Sequence, residues 1–315
     1  MKVARSLAEI TRDAGSVVTV GTFDGVHLAH QEIIREVVNR ARMNEGRSVV
    51  VTFEPHPKEV VGRAEQPVTL LTTLEECLEL IGRMNVDVLL VIQFTFEFSR
   101  LSAHEFYRRY VMDGIGVSEV VVGYDHMFGR DRTGGVEELV RMGQEFNFSV
   151  SAVHPYRVEG EIVSSTRVRE AIAAGDVEHA AGLLGYPFSL SGTVVKGDGR
   201  GKTLGYPTAN IEPLTPRKIV PGRGVYFVGV MFRGRQWYGM MNIGTRPTVT
   251  SGSVTTIEVH VFGMNEDVYG ESAVVTFLRK LRNERKFSSL EELTNQMHRD
   301  RELSMRYLAE FDKRQ

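Results

Sequence analysis

The chain has 315 residues, 42% of them hydrophobic and 25% charged, with a formal net charge of −2. That is the balance of a globular protein large enough for two ordinary domains, and it supplies no overall attraction to nucleic acid or to an anionic membrane. The lone cysteine, Cys77, excludes an internal disulfide; with no signal-peptide pattern in Met1–Ala14 and no apolar run of roughly 18 residues, a cytoplasmic protein is expected.

An apolar run, Val17–Val20, is followed by Gly21-Thr22-Phe23-Asp24-Gly25-Val26-His27-Leu28-Ala29-His30 and then by apolar residues at helical spacing, Ile33, Ile34, Val37, Val38 and Ala41. The order reads strand, glycine turn, helix. His27 and His30 therefore fall at a helix N-terminus, where unpaired N–H groups and the helix dipole favour an anion. Two imidazoles add donors without a fixed charge. Surface histidines would give the same spacing, as would a metal pair, although no third ligand stands at zinc spacing.

Farther on, Val49–Phe53, Val88–Ile92, Val117–Val122 and Phe148–Val153 are short Val-rich runs. Between them Leu74–Met84, Ala103–Met112 and Val136–Phe146 look helical, with capping boxes at Thr73/Glu76 and Ser102/Glu105. This alternation predicts a doubly wound parallel sheet, with ligands beyond the carboxyl ends of its strands. His56, in Thr52-Phe53-Glu54-Pro55-His56-Pro57, lies at such an end. So does Val121-Val122-Gly123-Tyr124-Asp125-His126-Met127-Phe128-Gly129, where Phe128 could stack on a planar ligand and Asp125 accept from its edge; a turn with an inward Phe fits equally well. Val163-Ser164-Ser165-Thr166-Arg167-Val168-Arg169 opens another helix. Such hydroxyls commonly serve only as an N-cap, yet with Arg169 one turn in they would also suit a phosphate clamp.

After Gly185-Tyr186-Pro187 the texture changes, and the domain boundary is expected there, giving 1–185 and 186–315, with Asp176–Leu184 as a connecting helix. Leu190–Val195, Val225–Phe232, Gln236–Asn242, Thr256–Phe262 and Val274–Leu278 alternate without intervening helices, which predicts a small antiparallel barrel. Ser289 and Glu292 open a last helix reaching about Phe311. The loop Gly192–Thr203 has Lys196 where a Walker A motif needs glycine, yet a cationic glycine loop still suits phosphate. Glu258, in an apolar strand with His260 on the same face, is the carboxylate most in need of a role. A salt bridge or an outward edge position would also account for it.

The first half resembles the bacterial FAD synthetases, whose marks are G-x-F-D-G-x-H-x-G-H, T-F-x-P-H-P, V-G-x-D-F-x-F-G and S-S-T-x-x-R. Ala29 replaces the glycine between the histidines, and His126 a phenylalanine. The second half resembles the riboflavin kinases, marked by G-R-x-L-G-F-P-T-A-N, with Lys202 and Tyr206 in place of Arg and Phe. The matches Asn242–Thr248, Ile257–His260 and Leu281–Phe287 follow in order. The resemblance implies a bifunctional enzyme making FMN from riboflavin and ATP, then FAD from FMN and ATP. It assigns the ATP phosphates to His27 and His30, and the leaving pyrophosphate to Ser164, Ser165, Thr166 and Arg169. It places Gly21, Phe23, Asp24, Gly25, His56, Asp125 and Phe128 around nucleotide and flavin. In the second half it implies substrate binding by Gly197, Gly201, Lys202, Pro207, Thr208, Asn210, Arg282 and Glu284. Thr208 and Asn210 would hold Mg²⁺ with ATP, and Glu258 would be the general base. A kinase with a weakened first domain, and a flavin carrier without turnover, are the alternatives. Oligomerisation is left open.

Overall fold

The computed structural model describes residues 1–62, 68–124, 126–129, 134–197, 205–248, 252–264 and 266–312. They divide into two compact units, Met1–Ser165 and Thr166–Gln315.

The first unit is built on a six-stranded sheet: β1 (Lys2–Ala4), β2 (Val17–Val20), β3 (Ser48–Glu54), β4 (Val88–Gln93), β5 (Glu119–Gly123) and β6 (Ser149–Val153). Every pairing is parallel and the order is β1-β4-β3-β2-β5-β6. Helices cover both faces of the inner strands, so β2 to β5 read as continuous apolar runs, whereas the edge strand β6 is only partly covered. Val18, Val20, Val120 and Val122 point into one cluster, whereas Val17 and Val121 point into another beneath the helix Leu28–Met43. The chain winds from β2 towards β4, then returns to the other side of β2 at β5. Ligand crevices form at such a reversal; the loop after β2 leads to the histidines, and Gly123 ends β5. Both expected capping boxes are present.

Two elements differ from expectation. β1 pairs only at the edge, beside β4, and its three residues are too few to show a period. The helix from Ala103 stays α-helical only to Phe106 and continues as a π-helix, Tyr107–Ile115, ending in a bond from the Gly116 N–H to the Val111 carbonyl at 2.9 Å. Its buried side chains are Tyr107, Val111 and Ile115. Phe128 goes inward: it is buried in the core, edge-on to Tyr107 with centroids 4.8 Å apart and stacked on His126 at 5.1 Å. Burial lowers the His126 pKa to about 4.

The first unit ends in a small hairpin of β7 (Arg157–Val158) and β8 (Glu161–Ile162). The second unit holds the helices Ser165–Ala174 and Val177–Leu184, followed by β9 (Ser189–Val195), β10 (Ala209–Pro213), β11 (Gly224–Phe232), β12 (Arg235–Thr248), β13 (Gly252–Val261) and β14 (Ser272–Arg282), which close an antiparallel barrel in the order β10-β13-β12-β11-β14-β9. β9 alternates strictly, with Leu190, Gly192 and Val194 inside. β10 was not expected, because its pattern Ala-Asn-Ile-Glu-Pro is short and ends in proline. The last helix, Leu290–Asp312, contacts β12 and β14. The two helices before the barrel are tied to it. Lys280 Nζ donates to the Ala174 carbonyl at 3.2 Å, Gly222 N–H to the Ile172 carbonyl at 2.9 Å, and Arg279 Nε pairs with Glu178 at 2.9 Å.

Removing those ties should cost stability. A fragment of residues 166–315 should therefore melt at least about 10 °C above one starting at 185, since the shorter piece loses several buried side chains; equal melting temperatures would show that the helices are dispensable. His126 gives a pH signature. It stays neutral in the native state, while the unfolded chain protonates it below about 6.5. Its contribution is thus complete above that pH and is lost as pH falls towards about 4. Denaturant unfolding of His126→Phe between about pH 7.5 and 5 should show a smaller loss than the parent, by up to about 2 kcal/mol.

Candidate functional sites

In the first unit the loop after β2 is held in a strained form. Phe23 and Val26 have φ of 46° and 34°, and Gly25 has 84°. Such conformations cost about 1–3 kcal/mol each for residues with side chains and persist only where the surroundings enforce them. The Asp24 carboxylate is part of that enforcement. It is buried, and its Oδ1 accepts from the N–H groups of Leu71 (2.9 Å) and Thr72 (3.0 Å). The Thr72 hydroxyl accepts from the Gly25 N–H at 2.9 Å, and Ser165 Oγ donates to the Asp24 carbonyl at 3.0 Å. Asp24 thus shapes the loop from within, through Thr72, a residue that no sequence pattern singled out.

The loop delivers His27 as the N-cap of Leu28–Met43. Its Nδ1 accepts from the His30 N–H at 3.3 Å, so neutral His27 carries its proton on Nε2. The His27 and His30 rings stack at 3.6 Å, only 16° from parallel, and Phe23 meets His30 edge-on at 5.2 Å. Burial, with His27 alongside, holds the His30 pKa well below the usual imidazole value. Its Nδ1 is buried without a hydrogen-bond partner. Ala29 is in the first helical turn, outside the positive-φ stretch, so nothing in the backbone there requires glycine. A Cβ on Gly21 would press on the Phe23 ring at 3.2 Å.

His56 caps the short helix Pro57–Val61, with Nδ1 accepting from the Lys58 N–H at 3.2 Å. Ser164 and Ser165 are half-buried. Thr166 and Arg169 lie in the opening turn of Ser165–Ala174, in the second unit, with Thr166 exposed and Arg169 half-buried. Asp125, Gly201 and Lys202 lie outside the described residues.

In the second unit, register builds a polar row. Glu258 on β13 stands opposite Asn210 on β10 and Asn242 on β12. Directly opposed residues of an antiparallel pair share a face. Their neighbours Ile257, Val259, Met241 and Ile243 are buried, while Asn210, Asn242 and Glu258 are half-buried. The row therefore lies on the outer wall of the barrel, with Thr208 two residues before Asn210. Gly197 is needed beside it: a Cβ there would overlap the Asn210 amide. Gly244 does the same for Glu284: a Cβ there would overlap its Oε1 and stand 3.2 Å from Asn242 Nδ2. Asn242 and Gly244 were legible only as part of a matched string, not as site residues.

Along the same wall His260 opposes Met240 and hydrogen-bonds the Pro207 carbonyl through Nδ1 at 2.8 Å. Burial lowers its pKa, so the neutral tautomer donates from Nδ1. Tyr206, buried, meets His260 edge-on at 5.0 Å and bonds His298 Nδ1 at 2.7 Å. Arg282 Nε bonds both carboxylate oxygens of Asp300, at 3.1 and 2.9 Å. These contacts bring Gly197, Asn210, Glu258 and Glu284 onto one wall and anchor Pro207 and Arg282 at its margins.

Asn210 offers a neutral oxygen opposite Glu258, and Thr208, two residues earlier, offers another. That small, hard donor set fits Mg²⁺, which takes few protein ligands and shares its shell with substrate phosphates. Among the described residues no cluster of three or more His, Cys, Asp or Glu could hold a metal by itself.

Comparison with known proteins agrees with this division. Residues 9–167 match the FAD synthetase family and residues 184–308 the riboflavin kinase family. A bifunctional riboflavin kinase/FMN adenylyltransferase of Pseudomonas fluorescens is 39% identical over 301 residues, 95% of this chain and 96% of its own. The Escherichia coli (strain K12) protein of the same name is 37% identical over 303 residues, again 95% and 96%. A crystal structure described as a macrolide-efflux protein from Streptococcus pneumoniae superposes with a TM-score of 0.87 at 34% identity, covering 96% of this chain and 98% of that one. Efflux is said of that protein; among the described residues here, no helix is long and apolar enough to cross a membrane. Two matched domains in this order and full-length relatives at this identity place the chain in the bifunctional riboflavin kinase/FMN adenylyltransferase family.

Proposed function

We propose that the chain makes FMN from riboflavin and ATP in residues 186–315, and FAD from FMN and ATP in residues 1–185, in the cytoplasm and with small molecules as its substrates. The observation that carries the kinase reading is the register of Asn210, Glu258 and Asn242 on adjacent strands. In that reading Glu258 accepts the proton of the ribityl hydroxyl, whose oxygen attacks the γ-phosphorus of ATP while ADP leaves. Thr208 and Asn210 would hold Mg²⁺, which would supply positive charge against the phosphate oxygens. Asn242 and Glu284, whose side chains both approach Gly244, border the same wall and orient substrate.

The adenylyl-transfer reading rests on the stacked histidines at the start of a long helix, one with an orphaned buried nitrogen. An FMN phosphate oxygen attacks the α-phosphorus of ATP, and pyrophosphate leaves. The protein's part is positioning and charge stabilisation. Neutral His27 presents Nε2–H, and the helix N-terminus adds its N–H groups. Ser164 and Ser165, in the same unit, would receive the pyrophosphate. The helical backbone at Ala29 favours an active module over a degenerate one, because the departure from glycine introduces no strain.

Supplying each substrate separately tests the two readings. Glu258→Gln should lower FMN formation from riboflavin by roughly 10²–10⁴-fold while leaving FAD formation from supplied FMN intact. Near-normal phosphorylation in that variant would remove Glu258 from the mechanism. His30→Ala should lower FAD formation by about 10²–10³-fold with FMN formation unchanged. Ala29→Gly should raise FAD formation modestly; a large rise, of tenfold or more, would mean that the methyl group obstructs the phosphates after all.

A further inference from the structure

We propose that Asp300 is a positioning residue for the kinase step, acting through Arg282, and that the turn of the last helix carrying it also anchors the segment leading into Thr208 and Asn210. The inference rests on the kinase reading of the second unit.

Arg282 closes β14, and its neighbours Asn283 and Glu284 lead to the wall described above. Its Nε is engaged by both Asp300 oxygens, and its Nη1 donates to the Asn283 carbonyl at 3.2 Å. Nη2 has no hydrogen-bond partner among the described residues, and the guanidinium lies over the Phe287 ring, 5.5 Å from its centroid. Arg282 is 19% exposed and Asp300 only 5%. Asp300 is fixed in turn: Gln296 Nε2 donates to its Oδ1 at 2.7 Å, one helical turn away. A buried ion pair is a weak source of net stability, because desolvation offsets the attraction, so its value here is geometric. Guanidinium has a planar fork of donors, and fixing one edge fixes where the other points. With Nε and Nη1 engaged, the remaining donors are aimed along a set direction, as recognition of a phosphate oxygen requires.

The same turn reaches Tyr206 through His298, at 2.7 Å. Tyr206 immediately precedes Pro207, whose carbonyl is held by His260, two residues from Glu258 on the same strand. The hydroxyl that distinguishes Tyr206 from phenylalanine thus has a specific partner on the last helix. Gln296, His298 and Asp300 together tie both margins of the wall, the start of the Pro207–Asn210 string and the end of β14, to a single helical turn.

A double-mutant cycle in the full-length protein tests this. Asp300→Asn keeps the shape and removes the charge. It should lower kcat/KM for riboflavin phosphorylation by about 10–100-fold, mostly in kcat. In an Arg282→Gln background the same change should cost less than about twofold, since the residue through which it acts is gone. FAD formation from supplied FMN reports an intact fold and should stay within about twofold. Equal losses in both backgrounds, or no loss in the parent, would overturn the inference while leaving the kinase reading in place. A parent protein that forms no FMN would remove the kinase reading and this inference with it. Should Asp300→Asn fail to fold, Gln296→Leu keeps the ion pair and releases Oδ1. It should cost about threefold in the parent background and nothing in Arg282→Gln; a loss that survives there would contradict a role through Arg282.

Discussion

The period of two along a β-strand is the constraint on which the second unit depends. In a closed barrel each strand gives one set of side chains to the core and the other to the outside. β13 obeys this with Ile257, Val259 and Val261 inward, which leaves Glu258 and His260 no place except the outer wall. Register then does the rest. With Glu258 opposite both Asn210 and Asn242, three polar side chains from distant parts of the chain are brought side by side. A slip of one residue would bury the carboxylate and expose the valines, so the core that stabilises the barrel also fixes its chemistry.

The first unit reaches a comparable result by a different route. A parallel sheet buried on both faces leaves its polar opportunities at the strand ends, and the reversal of winding between β2 and β5 opens the crevice there. The helix after β2 brings unpaired N–H groups to that place. What the sequence adds is a loop forced into positive φ at Phe23, Gly25 and Val26 and held by a buried carboxylate. The strain is borne by the hydrogen bonds of Asp24 and Thr72, and its product is a pair of stacked imidazoles in fixed tautomeric surroundings.

Periodicity made much of this legible. The Val-rich runs and intervening helices predicted the parallel sheet because burial on both faces leaves an unmistakable apolar signature. β9, β13 and β14 were visible for the opposite reason, their alternation, whereas β11 departs from it, buried along nearly its whole length. β10 escaped because its pattern is short and its role is read as a motif rather than as a strand. The π-helix escaped because it buries residues four apart, as an α-helix would. Among site residues, local spacing could locate His27, His30 and Glu258 but could not say where a side chain turns. Asp24 faces its own loop's support and Phe128 enters the core beside Tyr107. Thr72, Tyr206's bond to His298 and the Arg282–Asp300 pair join residues far apart in sequence, for which a single chain carries no local signal.

Both chemistries are proposed to reside in this one chain. The direct measurement is a time course with intact protein, riboflavin, ATP and Mg²⁺, with the flavins separated at each point. FMN should appear first without a lag, and FAD should follow, growing as FMN accumulates. FMN that accumulates with no FAD at saturating ATP would contradict the proposal for the first unit, and riboflavin that remains unchanged would contradict it for the second.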